Sequence, residues 1–177
     1  QVFSADGPLD GLEQAKVIVD SGSRVLPRRT IDRLVDYVAG GGRLLLFATA
    51  GERTSDDPQA RFELLQRLGY EDVQRLTPRS HDPAALVFRA PPVLARTGLR
   101  GIDTGSPPEP VFGSRTAGMP VQFHSELTVP EGGHAIGWIG AEVGAVRWPH
   151  GEGEVILLAG EPGSVTEARV YEMRESG

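Results

Sequence analysis

The pattern that most constrains the fold of this chain is a strand–helix–strand segment near its N-terminus. Residues 17–19 form an apolar, β-branched run that ends at a polar turn, which predicts a strand buried on both faces of a parallel sheet. Residues 43–49 predict a second strand of the same kind. Between them, apolar side chains at helical spacing predict a helix, which a proline opens and glycines end: Ile31, Leu34, Val35 and Val38, with Pro27 and Gly40 to Gly42. Two such strands joined by a helix indicate an α/β fold.

A second helix is predicted just after this segment. Asp57 and Pro58 are interpreted as its cap and first residue, and Gly69 as its end; its apolar residues are Ala60, Leu64, Leu65 and Leu68. Prolines then interrupt residues 70–130, which we interpret as a loop-rich elaboration with three short strand candidates at 86–89, 121–123 and 127–129. Three further strands are predicted at 135–139, 143–148 and 154–159.

The predicted fold class is a three-layer α/β fold in a single domain, residues 1–177. It has a mostly parallel sheet flanked by helices, with an irregular or antiparallel C-terminal β elaboration. The sequence begins with Gln1 rather than methionine. We therefore expect a processed protein or a piece of a longer one.

Composition excludes several classes of function. The net charge is −6, which argues against a nucleic-acid partner because phosphate binding relies on clustered cations. The apolar run 44–48 is far shorter than the roughly 20 residues of a membrane span, so no membrane contact is expected. The chain has no cysteine, and its four histidines are scattered without metal-ligand spacing. We expect neither a metal nor a cofactor.

Two segments carry a resemblance to a known family. Residues 15–26 and 30–45 run Ala-Lys-Val-Ile-Val-Asp-Ser-Gly-Ser-Arg-Val-Leu and Thr-Ile-Asp-Arg-Leu-Val-Asp-Tyr-Val-Ala-Gly-Gly-Gly-Arg-Leu-Leu. They resemble the class I glutamine-amidotransferase-like, flavodoxin-like fold, and in particular the trimerisation domain of bacterial β-galactosidases. The strand at 153–160 is similar to a late strand of those accessory domains. The resemblance covers residues 14–54 and 134–163, and it implies a fold more strongly than a chemistry.

The same resemblance bears on catalysis. Enzymes of this family carry a nucleophilic cysteine in a Gly-x-Cys-x-Gly elbow, and Thr49 takes that position here. A threonine hydroxyl has no significant anionic fraction at neutral pH, so amidotransfer is not expected. His124 and Glu126 repeat much of the family's His-x-Glu motif. This match is either chance or the relic of a degenerate triad of Thr49, His124 and Glu126.

A ligand site is predicted where two parallel strands end. The residues that follow these strands should meet at the carboxyl edge of the sheet, where α/β folds place ligands: Asp20, Ser21, Gly22, Thr49, Gly51, Glu52 and Arg53. The alternative is that Asp20 and Thr49 cap local turns and that Glu52 pairs with Arg53 or another exposed side chain.

Three other features allow a functional or a purely structural interpretation. Arg28 and Arg29 stand near a helix start, where an anion or a partner's carboxylate would compensate them, although solvent exposure explains them equally well. Asp56 and Asp57 beside Glu52 have oxygen ligands for a divalent cation but lack a recognised spacing. The two tryptophans, Trp138 and Trp148, would line a sugar site, anchor an interface or belong to the core.

We therefore expect a non-catalytic accessory or oligomerisation domain of a larger bacterial carbohydrate-active protein of the glycoside hydrolase type. Its partners would be other subunits or a neighbouring catalytic domain. Two alternatives stay open at this point: a degenerate amidotransferase-like hydrolase, and a small-ligand-binding module that uses the carboxyl edge of the sheet.

Overall fold

The computed structural model describes residues 11–20, 22–76, 79–88 and 119–160, which form two sheets and two α-helices. The helices are α1 (Arg28–Ala39) and α2 (Glu63–Arg67). The strands are β1 (Val17–Val19), β2 (Val25–Leu26), β3 (Arg43–Phe47), β4 (Arg53–Thr54), β5 (Asp57–Arg61), β6 (Arg79–Phe88), β7 (Met119–His124), β8 (His134–Ile139), β9 (Glu142–His150) and β10 (Gly153–Leu158).

The larger sheet has seven strands in the order β1-β3-β10-β9-β8-β6-β7. β1 and β3 are adjacent and parallel, with Val17 opposite Arg43 and Val19 opposite Leu45, so the predicted pairing of the first two strands is confirmed. β10 continues the parallel part on the other side of β3. The smaller sheet has the order β2-β4-β5, in which β2 and β4 are parallel and β5 is antiparallel.

The predicted mostly parallel, three-layer arrangement is not what the described residues form. Beyond β10 the four remaining strand pairs of the large sheet are all antiparallel. For two of these pairs the cause is local, because residues 140–141 join β8 to β9 and residues 151–152 join β9 to β10. Connections this short allow only antiparallel neighbours, whereas a parallel pair needs a crossover of a dozen or more residues. The fold is therefore mixed α/β with a largely antiparallel β part.

Among the described strands β1 lies at an edge of the sheet, and the prediction that it is buried on both faces is wrong. Val17 is 51% exposed and Val19 is 57% exposed, whereas Ile18 is half-buried against the core. A continuous apolar run identifies a strand but does not distinguish a central position from an edge. β3 has the predicted central position, and Leu44 and Leu46 within it are fully buried.

Helix α1 lies between the predicted boundaries. It follows Pro27 and ends at Gly40, with Ile31, Leu34 and Val38 buried. Val35, which we expected to be buried, is half-buried and packs at the margin of the core.

Two predictions of local structure are wrong. Residues 57–61 form β5 instead of the start of a helix, and α2 begins only at Glu63. The reason is the left-handed backbone of Phe62 (φ 54°), which separates the strand from the helix. Residues 127–129 are not a strand; the backbone N–H of Thr128 instead donates a hydrogen bond to the hydroxyl of Tyr70 (3.0 Å). In the described ranges, neither helix has the length and apolar character required to cross a bilayer.

Candidate functional site

The structure brings together the turns that follow β1 and β3, as predicted. The N–H of Gly51 donates to the carbonyl of Ser23 (2.8 Å), and the N–H of Arg53 donates to the carbonyl of Arg24 (2.9 Å). These bonds lead directly into the parallel pairing of β2 with β4. The carboxyl ends of the two strands are therefore joined by the backbone of the chain itself.

Asp20 stabilises the first of these turns. Its Oδ1 accepts hydrogen bonds from the N–H groups of Gly22 (3.0 Å) and Ser23 (2.8 Å). Gly22 has a φ of 105°, which favours glycine at this position. This is the local capping role that we gave as the alternative to ligand binding. Ser21 lies outside the described residues.

Thr49, at the elbow position, is buried, with 7% of its surface exposed. It lies in the turn after β3, between the buried residues Ala48 and Ala50. Gly51 has a φ of 63°, and a Cβ there would lie 3.4 Å from both Leu26 Cδ1 and Leu64 Cβ. The elbow is thus packed closely against apolar side chains.

Glu52 and Arg53 point to different partners or to solvent. Glu52 Oε1 forms an ion pair with Arg61 Nη2 on β5 (3.2 Å), and the Arg53 side chain is exposed. An exposed pair of this kind contributes about 0–1 kcal/mol to stability. Since it joins the turn after β3 to β5, it fits a structural role at the sheet edge. The prediction that these residues bind a ligand stays a prediction.

Two residues of the suggested relic triad, His124 and Glu126, contact charged side chains outside that triad. Nε2 of the buried His124 lies 2.9 Å from Oε2 of Glu142, at the start of β9. Glu126 Oε1 lies 2.7 Å from Nη1 of Arg75. Glu142 was missed by sequence reasoning because its approach to His124 depends on strand order, for which the local sequence carries no signal.

Carboxylates lie near Arg28, which was one of the two alternatives, and they come from the same chain. Arg28 donates its N–H to Asp56 Oδ2 (2.7 Å), and its guanidinium lies 3.3 Å from Glu63 and 3.7 Å from Asp57. The hydrogen bond with Glu63 raises the pKa of Arg28 above its ordinary value. Asp56 and Asp57 therefore compensate the start of α1. Within the described ranges, no three acidic or histidine side chains cluster as metal ligands would.

Both tryptophans are buried, with 3% of each exposed. Trp148 Nε1 donates to the carbonyl of Leu68 (2.7 Å), and its ring lies 5.8 Å from that of Tyr70. Trp148 thus joins β9 to the end of α2 as a core residue, and the core interpretation of at least one tryptophan is confirmed.

The fold of this chain is similar to parts of several solved structures. No protein-family profile and no curated protein matches the chain. Among solved structures, Gan42B, a GH42 β-galactosidase from G. stearothermophilus, matches with a TM-score of 0.59 and 12% identity. A cold-adapted β-galactosidase from Rahnella sp. R3 matches with a TM-score of 0.59 and 15% identity. A cytoplasmic protein from Salmonella typhimurium LT2 matches with a TM-score of 0.55 and 17% identity.

The coverage of these matches is unequal. They cover 93% and 96% of this chain but only 22% and 24% of the two β-galactosidase chains. For the Salmonella protein the figures are 90% and 66%. The chain therefore spans less than a quarter of the β-galactosidases, and it shares its fold with one segment of these much longer glycoside hydrolase chains.

Proposed function

We propose that this chain is a non-catalytic accessory domain of a larger carbohydrate-active enzyme of the glycoside hydrolase type. The observation that carries the proposal is the unequal coverage of the structural match. Nearly all of this chain corresponds to 22% of Gan42B, which leaves 78% of that enzyme for other domains. A domain in this position contacts either other subunits or the neighbouring catalytic domain.

The finer assignment is to the amidotransferase-like trimerisation type. It is supported by the resemblance of residues 14–54 and 134–163 and by the adjacent parallel strands β1 and β3 joined through α1. On this assignment, the role of the domain is to hold the subunits of the parent enzyme together.

The elbow at Thr49 supports a non-catalytic role. The chain has no cysteine, and the residue that replaces the nucleophile, Thr49, is buried beside apolar side chains. Activation of a hydroxyl requires a base within hydrogen-bond reach that is itself oriented by a third group. His124 contacts the carboxylate of Glu142, and Glu126 forms an ion pair with Arg75, so both side chains have charged partners outside the suggested triad.

A small-ligand-binding module is the second candidate. The match to the Salmonella cytoplasmic protein, in which the shared fold accounts for 66% of the chain, supports a domain that makes up most of its own protein, as such a module would. Such a module would use the carboxyl edge of β1 and β3, with Asp20, Ser21, Gly22, Thr49, Gly51, Glu52 and Arg53 as its contacts.

The test begins with the complete reading frame that encodes these residues. The full protein, the full protein lacking residues 1–177, and the 177-residue chain are compared for hydrolysis of a chromogenic β-galactoside and for mass by light scattering. We expect hydrolysis only from the two forms that contain the rest of the protein. We expect the deletion to reduce the number of subunits.

Three outcomes would contradict the proposal. One is a reading frame that holds only these residues. Another is a deletion variant with the subunit number of the full protein and an unchanged turnover rate. The third is hydrolysis of the β-galactoside or of glutamine by the 177-residue chain that disappears in Thr49→Ala, because this would identify the degenerate hydrolase.

A further inference from the structure

The edge strand β1 has an unusual combination of properties. Val17 and Val19 are more than half exposed, and β1 pairs only with β3 among the described strands. Exposed apolar edge strands are templates for pairing with another chain, and proteins normally protect them with charges, prolines or bulges. Within β1 itself there is no charge and no proline.

The backbone groups of β1 that face away from β3 can be identified from the hydrogen bonds between the two strands. The N–H of Asp20 donates to the carbonyl of Leu45 on β3 (2.9 Å). Because backbone groups of alternate residues point to the same side of a strand, those of Ile18 also point towards β3. The N–H and C=O groups of Val17 and Val19 therefore point outwards, where an added strand would find them.

The sequence around this edge is complementary to itself. Residues 16–20 read Lys-Val-Ile-Val-Asp, with Ile18 at the centre, a valine on each side and opposite charges at the two ends. In an antiparallel pair centred on Ile18, Val17 of one copy faces Val19 of the other, and Lys16 faces Asp20. Opposite charges and β-branched residues directly across a pair are both stabilising.

We propose that β1 is an interface between two copies of this chain, in which the two edge strands pair antiparallel about a twofold axis at Ile18. The outward groups of Val17 and Val19 then form four backbone hydrogen bonds with their counterparts. The half-buried Ile18 packs against Ile18 of the second copy. The two seven-stranded sheets become one continuous sheet.

The charges select this register among the alternatives. A register centred on Val17 or on Val19 also pairs outward-facing groups, but it places Lys16 and Asp20 opposite other residues. Lys16 is exposed and makes no ion pair among the described residues. Asp20 uses Oδ1 for its own turn, which leaves Oδ2 for Lys16 of the second copy. The ion pairs between Lys16 and Asp20 at both ends of the pairing can therefore form without a change in the local structure.

The size of this contact limits its strength. Five residues on each side bury much less than the roughly 1,200 Å² that stable complexes require. We therefore expect a weak dimer of the 177-residue chain, with a dissociation constant on the order of 0.1–1 mM. The inference goes beyond the proposed accessory function, since it names a surface and a partner without reference to any catalytic domain.

The first experiment uses the fact that Lys16 is the only lysine in the chain. Isotope-labelled and unlabelled chains are mixed at high concentration and treated with a carbodiimide, which joins an amine to a neighbouring carboxylate. We expect a peptide that links Lys16 of one label to Asp20 of the other. A product in which both peptides always carry the same label would overturn the proposal.

The second experiment measures association by sedimentation. Lys16→Glu places like charges opposite each other and should weaken the dimer at least about tenfold, while leaving the cap made by Asp20 intact. Arg24→Glu, a charge reversal at an exposed residue outside the pairing register, is the matched control and should associate as the wild type does. Equal association of the two variants would overturn the proposed register.

The third experiment is hydrogen exchange at the amides of Val17 and Val19. We expect their protection to rise with protein concentration, because in the dimer these amides donate to the second strand instead of to water. Protection already present in a dilute sample would show that another part of the chain pairs with β1 and would overturn the proposal. A monomeric chain at all concentrations would do the same. Neither result would affect the accessory function, which is tested by the activity of the longer protein.

Discussion

The turn between β9 and β10 docks onto the end of α1 at Gly151, and replacing this glycine should be costly. A Cβ at this position would lie 2.6 Å from Ala39 Cα and 2.7 Å from Ala39 O. The next residue, Glu152, donates its N–H to the same carbonyl (3.0 Å). An ordinary contact begins at 3.4 Å, so Gly151→Ala forces the turn and the helix apart by about 0.8 Å, the difference between 3.4 and 2.6 Å.

Gly140 provides a matched control for this substitution. Its φ is 61°, against 60° for Gly151, and an added Cβ would meet none of the described atoms within 4 Å. Both alanine variants pay about 1–2 kcal/mol for the left-handed backbone. Only Gly151→Ala adds overpacking, about 1–3 kcal/mol, and weakening of the Glu152–Ala39 hydrogen bond, about 0.5–1.5 kcal/mol. We therefore expect Gly151→Ala to be less stable than Gly140→Ala by about 1.5–4.5 kcal/mol.

Urea unfolding followed by tryptophan fluorescence measures this difference, because Trp138 and Trp148 are both buried in the folded chain. The free energy of unfolding is obtained for the wild type and for the two variants under identical conditions. Equal free energies for Gly151→Ala and Gly140→Ala would refute the reasoning, because they would mean that the turn is not packed against the end of α1.

Three further predictions concern the core and the elbow. Trp148→Phe leaves the carbonyl of Leu68 without its donor and should cost at least about 1–3 kcal/mol, measured by urea unfolding; an unchanged midpoint would contradict the contact. Burial raises the pKa of Tyr70 above its ordinary value of 10.0. The protonated hydroxyl of Tyr70 therefore contributes fully to stability below about pH 10, and this contribution is lost as the pH rises through the higher pKa of the folded state. Because phenylalanine does not titrate, Tyr70→Phe should lose less stability than the wild type at alkaline pH. Thr49→Ala should leave glutamine hydrolysis at the level of buffer, as in the wild type, and a measurable rate in either chain would contradict the interpretation of the elbow.

The sequence predicted β1, α1 and β3 because their signals are local. The apolar stripe Ile31, Leu34, Val38 occurs within one helix, and Pro27 and Gly40 mark its ends. The boundary between β5 and α2 was not predictable in the same way, since it depends on the left-handed backbone of Phe62, a residue that rarely adopts it. The exposure of β1 was also missed, because position in a sheet is decided by distant strands.

In the candidate site, too, some features follow from local sequence and others depend on distant strands. That the turns after β1 and β3 meet was predictable from the parallel order of the strands. The sequence did not predict that the chain itself uses the polar groups of these turns. The hydrogen bond from Gly51 to Ser23, for example, depends on the pairing of β2 with β4. The contact of His124 with Glu142 likewise depends on the order of the antiparallel strands.

The carboxyl end of β1 and the long edge of β1 differ in what a partner must displace. At the carboxyl end, the chain's own acceptors already engage the N–H groups of Gly22, Ser23, Gly51 and Arg53. A ligand that takes these donors must replace hydrogen bonds that each contribute about 0.5–1.5 kcal/mol. Along the edge, an added strand displaces no hydrogen bond made by the described strands, and the geometry of the acceptors and donors is already fixed by the pairing with β3. Among the described residues, the edge of β1 thus offers its outward backbone groups to a second strand without loss of an existing hydrogen bond, and this difference supports the proposed pairing of two copies.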